Sequence, residues 1–453
     1  MGERSISNNF DKGEMIVQQN MGIRIKGGAT RNNPAKSFNL YARKKYGKSR
    51  IETDLFKDNF DINGTLITSY KILSVRAAYQ EDRLRDNLAR DLFFSRKGIT
   101  TVDMKSSILF LNGEYWGLYV LQEKIGDDFI EKNYLVPRKE IVIAKDNQVE
   151  DGPEEEYVKF QEFCKEYALK DLSDDKLYKE IEDYIDIDSM IELFSTGIYI
   201  GNGDWPLKND GEWKYLGEKK ENNEYTDGKW RFIAYDFDYS MGSNTFNVGH
   251  PSTNMFNYAK RRASEIPVNL FFNLLKSNKN FQKKFVNVHC DFANDVFHYN
   301  KVYKLIKQYK TNYTEIITNS ELRWWGWDFD IVLEGYAYFK SHYLKSLDSI
   351  LVFFEERPKY TLKHLKEFIE LEGDLVDLNI EIKGRGKIQI NTITPTFTNG
   401  KWSGQYFSGI PITLKAIPDV GYYFREWLGS IRNTQPNIEI PINESTKLIA
   451  VFD

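Results

Sequence analysis

Three carboxylates and one amide mark the chemistry this chain could carry. In GNGDWPLKND, Asp204 and Asn209 lie five residues apart, and the next β-rich stretch, KWRFIAYDFDYSMG, leads to Asp236 and Asp238. Phosphoryl transfer needs a carboxylate that orients the attacking hydroxyl, and oxygen ligands that hold Mg²⁺ across the phosphates. Asp204 suits the first task. Asn209 and Asp236 suit the second, because an Asp ending an apolar strand is held rigidly while its carboxylate meets solvent. A plainer reading exists: Gly203, Asp204 and Asn209 are common turn formers, and Asp-Phe-Asp can simply close a strand. Their order within one lobe, linked by a hairpin, favours the chemical reading.

Further candidates stand upstream. GGATRNNPAKSF offers Gly27 and Gly28 for close backbone approach to phosphate, with Arg31 and Lys36 able to reach phosphate oxygens. It is not a G-x4-G-K-[ST] loop, and Asn32, Asn33 and Pro34 also suit a plain turn. In LNGEYWGLYVLQEKI, Tyr115 and Trp116 lie near a hairpin tip and Glu123 follows an apolar strand. The aromatics could stack on a base or pack across strands. Glu123 could pair with a lysine, bind a base amino group or contact a metal. ELRWWGWDFD gathers Trp324, Trp325 and Trp327 beside Glu321, Arg323, Asp328 and Asp330. One local acid pair cannot flank a glycosidic bond, so core or interface packing is the better reading of the tryptophans.

Elements must hold these residues in place. Alternating stretches at 21–26 and 36–43 predict two strands around a turn, and Asn112-Gly113 between β-rich runs predicts a hairpin. From about Glu81, Leu84, Leu88 and Leu92 share one helical face. Apolar residues at 3- and 4-residue spacing predict helices within 154–170, 175–200, 265–315 and 337–372, interrupted by a hairpin between 211 and 242. After residue 372, short alternating strands between Gly, Asn and Pro turns predict a small all-β module without a helix.

Length and charge bound the remaining classes. At 453 residues the chain exceeds one ordinary core, so at least two domains are expected. The net charge of −4, with both signs interspersed, leaves no basic footprint for nucleic acid. No apolar run is long enough to span a bilayer, and the first residues lack the apolar stretch of a signal peptide, which an extracellular chain would have lost on processing. Cys164 and Cys290 fall in apolar helical patterns without metal-site spacing, so buried free thiols are expected.

In this order the motifs resemble the CotH kinase family of spore-coat and secreted bacterial proteins. The resemblance rests on RIKGGATRNNPAKSFNL, LRDNLARDLF, LFLNGEYWGLYVLQEKI, GNGDWPLKND, KWRFIAYDFDYSMG and ELRWW, covering about 20 to 370. It implies an α+β fold with an atypical two-lobed protein-kinase-like domain at 1–372, its N-lobe about 1–150 and its helical C-lobe about 151–372. Asp204 would be the catalytic-loop Asp. Asn209 and Asp236 would ligate Mg²⁺ or Mn²⁺, with Asp238 a supporting carboxylate. Lys36 and Arg31 would meet the ATP phosphates, with Lys71 a rival, and Glu123 and Trp116 would lie near the nucleotide.

The segment 373–453, with Gly404, Tyr406, Gly409, Trp427 and Phe452 as markers, resembles the internalin-type B-repeat, a β-grasp-like adhesive or spacer unit. The resemblances imply ATP-dependent phosphorylation of Ser/Thr in a protein substrate, including the chain itself. Cell-surface or cellulosome-like partners and an extracellular, cell-surface or spore-coat location are expected, with no nucleic acid and no membrane span. Two alternatives remain: a catalytically inactive surface-binding scaffold, and a carbohydrate-active enzyme that uses the tryptophans.

Overall fold

The computed structural model describes residues 3–77, 84–93, 96, 98–206, 208–209, 211–243, 245–262, 267–326 and 332–453. Its first part is a sheet. Strands β1 (Glu3–Asp11), β2 (Glu14–Lys26), β3 (Ser37–Tyr41), β6 (Ile72–Ala77), β7 (Met104–Leu111) and β8 (Glu114–Glu123) run in the order β1-β2-β3-β6-β8-β7, while β4 (Ile51–Glu52) and β5 (Ser69–Tyr70) pair separately. The two expected strands around the Gly-Asn-Pro turn are β2 and β3, with Lys26 opposite Ser37 at the base of the turn. The Asn112-Gly113 hairpin forms as read, with Leu111 opposite Glu114. Helix α1 (Arg85–Phe93) follows β6 in the chain. The expected start of that helix at Glu81 lies outside the described residues.

A second sheet joins the two parts of the chain. After α2 (Asp127–Tyr134), β9 (Ile141–Lys145) and β10 (Gln148–Asp151) form a hairpin that sequence reading missed, and β9 pairs with β11 (Gly211–Tyr215), which pairs with β12 (Arg231–Phe232). The helices that follow are α3 (Glu154–Tyr167), α4 (Asp175–Tyr184), α5 (Ile187–Ile200), α6 (Met255–Arg261), α7 (Val268–Ser277), α8 (Lys279–Asp291), α9 (Tyr299–Trp325) and α10 (Val332–Ile369); α3 and α5 pack against this second sheet, and α9 against β8 of the first. Helix was expected within 175–200, and two helices, α4 and α5, occupy it. Asp186 separates them by capping α5 through the Ser189 amide at 3.0 Å, while Ile185 bridges to Trp230 instead of continuing the helix.

Helix α5 is apolar on nearly every face and is buried on nearly every face. Its C-terminus ends on Gly201, whose φ of +66° allows the left-handed cap. Arg357 of α10, itself buried, donates to the carbonyls of Ile198 at 2.7 Å and Tyr199 at 2.8 Å, and also to those of Pro251 and Thr253. These bonds satisfy carbonyls that the helix end leaves without partners, and they place a cation at its negative pole. His289 of α8 ties Ser195 of α5 to Thr361 of α10 through its two ring nitrogens, each at 2.8 Å. The helix that precedes Asp204 is therefore anchored by both α8 and α10.

Residues from 375 on form β13 (Leu375–Lys383), β14 (Gly386–Ile390), β15 (Lys401–Phe407), β16 (Ile412–Pro418), β17 (Phe424–Gly429), β18 (Asn437–Ile440) and β19 (Thr446–Phe452). They make two sheets, β15-β13-β19-β17 and β14-β16-β18, with β13 and β19 parallel. The all-β expectation is met by this pair of sheets; the β-grasp likeness is not shown by it. One apolar core runs from the helices into this module. Asp291 at the end of α8 joins the two, accepting from Thr392 N at 2.9 Å, Thr392 Oγ1 at 2.6 Å and Tyr406 OH at 2.8 Å. Cys164 and Cys290 are buried free thiols.

Candidate active site

Two loops, one after α5 and one after β12, are stitched together by their backbones. Met241 N donates to Ile200 O at 2.7 Å and Gly203 N to Tyr239 O at 2.9 Å. Gly203 has room for no side chain, since a Cβ there would lie 2.8 Å from the Phe246 ring. Its carbonyl accepts from Tyr258 OH at 2.6 Å and from Arg262 Nη1 at 3.1 Å. The turn at this point is made by Asn202, which accepts the Asp204 amide at 3.2 Å. A turn also starts at Asp204, whose carbonyl accepts the Lys208 amide at 3.3 Å, so the turn and the chemical reading share that residue.

Asp204, Asn209, Asp236 and Asp238 converge. Asn209 donates its side-chain amide to Asp236 O at 3.1 Å and to Asp204 Oδ2 at 3.5 Å, and its own backbone N–H is held by Asp146 Oδ1 at 2.8 Å. Asn209 and Asp236 both adopt the left-handed region, with φ of +63° and +61°. Asn and Asp tolerate that region better than most residues, and such conformations cluster where a site needs them. Burial, and secondly the charge of Asp236, raise the pKa of Asp204 above the ordinary carboxylate range. Burial likewise pushes Asp238 well up, against the pull of Arg76.

The cation that binds this group is Arg76 of β6, which sequence reading did not select. Its Nη2 lies 2.5 Å from both Asp236 Oδ1 and Asp238 Oδ2, and its Nη1 lies 2.7 Å from Asp86 Oδ2 in α1. Asp86 also accepts the Phe237 amide at 2.9 Å. Lys26, at the end of β2, faces the same charges. Burial and the neighbouring Arg76 and Lys145 push its pKa down to about 7. The sequence carries only slight signals for these residues, an arginine within the strand ILSVRA and a lysine at the foot of a glycine turn.

The other expected residues make their bonds elsewhere. Arg31 and Lys36 sit on the β2–β3 turn, where Lys36 Nζ donates to Arg31 O at 2.6 Å. Trp116 packs against Phe38 and Trp324, with ring centroids 6.0 and 5.2 Å away, and its carbonyl accepts Trp324 Nε1 at 2.8 Å. Glu123 is buried; it accepts the Asp103 amide at 3.2 Å and Asn133 Nδ2 at 3.4 Å. Burial raises its pKa to about 7. Lys71 faces Asp128, which is also held by Arg50. No hydrogen bond or ion pair among the described residues draws these four positions, Lys36, Trp116, Glu123 and Lys71, into the Asp204 cluster. Trp327, Asp328 and Asp330 lie outside the described residues.

Among the described residues, no group of three or more His, Cys, Asp or Glu is arranged to hold a metal ion by itself. Among the described residues, too, no helix is long and apolar enough to cross a membrane.

Residues 23–361 match the family model described as CotH kinase protein, and residues 390–453 match that described as divergent InlB B-repeat domain. No curated protein matches the chain.

Proposed function

Since the chain belongs to the CotH kinase family, we propose that it transfers the γ-phosphoryl group of ATP to Ser/Thr hydroxyls of secreted or surface proteins, its own chain included. The observation that carries this reading is the Asn209 bridge from Asp204 to Asp236, with Arg76 paired to Asp236 and Lys26 within its electrostatic reach. Asp204 orients the acceptor hydroxyl and takes its proton as the bond to phosphorus forms. Arg76 and Lys26 take the phosphate oxygens, with Arg31 and Lys36 able to close from the turn above.

The oxygen donors of Asn209, Asp236 and Asp238 suit Mg²⁺ or Mn²⁺. Mg²⁺ usually keeps several waters and takes one or two carboxylates plus substrate phosphates, so a preformed cage is not required. When bound, the ion neutralises charge on the transferring group. The site would lie in an atypical two-lobed kinase fold, between the first sheet and the helices. The B-repeat module, a unit of the β-grasp-like kind, supports an extracellular, cell-surface or spore-coat setting with protein partners there.

Purified chain with labelled ATP, Mg²⁺ or Mn²⁺ and a Ser-rich peptide is expected to transfer label, and Asp204→Asn and Asp236→Ala to lose it. Equal transfer by Asp204→Asn would overturn the assignment. A second reading, an inactive surface-binding scaffold, draws on the same arginine: Arg76 occupies both Asp236 and Asp238. Under that reading neither ATP nor metal shifts the melting temperature.

A further inference from the structure

The carboxylates placed to take a metal are already engaged. A single nitrogen, Arg76 Nη2, lies 2.5 Å from both Asp236 Oδ1 and Asp238 Oδ2. A divalent cation and a guanidinium compete for the same lone pairs, so both cannot hold these oxygens at full strength. The other nitrogen, Nη1, is anchored differently. It meets Asp86 Oδ2 at 2.7 Å, and the Asp86 side chain is only 6% exposed, against 39% for Asp236. Asp86 is further fixed by the Phe237 amide. The guanidinium therefore has one buried, fixed prong on α1 and one open prong over the loop that carries Asp236.

We propose that Arg76 is a lock on this centre: without nucleotide its outer prong blocks Asp236 and Asp238, and a polyphosphate frees them by drawing that prong away. The inference rests on the phosphotransfer reading and adds a rule of assembly to it. A polyphosphate offers the planar guanidinium the paired oxygens it prefers. Rotating about the Asp86 anchor then exchanges two carboxylates for phosphate without leaving the buried acid uncompensated. Metal and nucleotide each favour the unlocked arrangement, so each raises the affinity for the other. A lysine at this position has one point charge in place of two prongs, and can stay on Asp86 while leaving the outer acids open.

The test is a Mn²⁺ titration of the full chain, followed by electron paramagnetic resonance of free Mn²⁺, in wild type, Arg76→Lys and Arg76→Gln. It is run with and without a non-hydrolysable ATP analogue. Wild type is expected to bind Mn²⁺ weakly alone. Arg76→Lys is expected to bind it about tenfold more tightly alone, while gaining less from the analogue than wild type does. Arg76→Lys keeps a cation for Asp86, so it carries the test if Arg76→Gln fails to fold. Mn²⁺ binding to folded Arg76→Lys no tighter than to wild type overturns the lock. Failure of wild type to bind the analogue at any Mn²⁺ concentration overturns the phosphotransfer reading instead, since the titration with Mn²⁺ alone still reads the block on the acids.

Discussion

Asn209 donates its side-chain amide to the backbone carbonyl of Asp236 at 3.1 Å, and both residues hold left-handed backbone. The bond joins two loops 27 residues apart and fixes the distance between the two halves of the site. Replacing Asn209 by Ala removes it together with the contact to Asp204. Phosphotransfer is expected to fall by roughly a hundredfold, the scale for losing one positioned donor. The loss should appear in kcat more than in KM, in steady-state assays with ATP varied.

Lys26 gives the site a proton of its own. Its pKa is pushed from 10.5 down to about 7 by burial and by neighbouring cations, so at pH 8 the folded chain holds it mostly neutral. A bound polyphosphate favours the charged amine. Nucleotide binding at pH 8 should therefore take up as much as about one proton, read by calorimetry in buffers of different ionisation enthalpy. Lys26→Met should abolish the uptake. Because the unfolded chain binds this proton up to about 10.5, the same group makes stability fall as pH drops from there to about 7.

Glu123 offers a test of opposite sign. Burial raises its pKa from 4.5 to about 7, so the folded chain prefers the neutral acid. Its contribution to stability is present below 4.5 and is lost as pH rises through 7. Glu123→Gln should be more stable than wild type by roughly 3 kcal/mol at pH 8 and indistinguishable near pH 4, in thermal melts. A large loss of ATP affinity in the same variant would show instead that Glu123 meets the nucleotide.

Asp291 holds the C-terminal module to the helices. Asp291→Ala leaves Thr392 N, Thr392 Oγ1 and Tyr406 OH without their acceptor in a buried interface, at a cost of about 3 kcal/mol. The module should loosen from α8, and limited proteolysis should cut the 370–374 connection faster than in wild type. Unchanged cleavage would mean that the shared apolar core suffices to hold it.

Features that depend only on neighbours along the chain can be read from the residues alone. The Asn112-Gly113 hairpin, the strands around the Gly-Asn-Pro turn and the change to an all-β segment after residue 372 were legible, because turn chemistry and side-chain period act over a few residues. So was the pairing of Asp204 with Asn209, whose bond closes over five positions. The break at Asp186 is masked in the sequence because the apolar period runs on across it, although its capping signal is local.

Which cations meet the carboxylates depends on the packing of distant elements. Arg76 reaches Asp236 across 160 residues and Asp238 across 162, and Arg357 reaches the end of α5 across 159. Nothing in the residues flanking Arg76 marks it apart from any other strand arginine. Lys36 and Arg31, chosen from their loop, bond within that loop, while Glu123 and Trp116, chosen from their hairpin, turn toward buried partners. A charge's partner depends on which elements pack together and how deeply they bury it, and neither is written in the residues next to it.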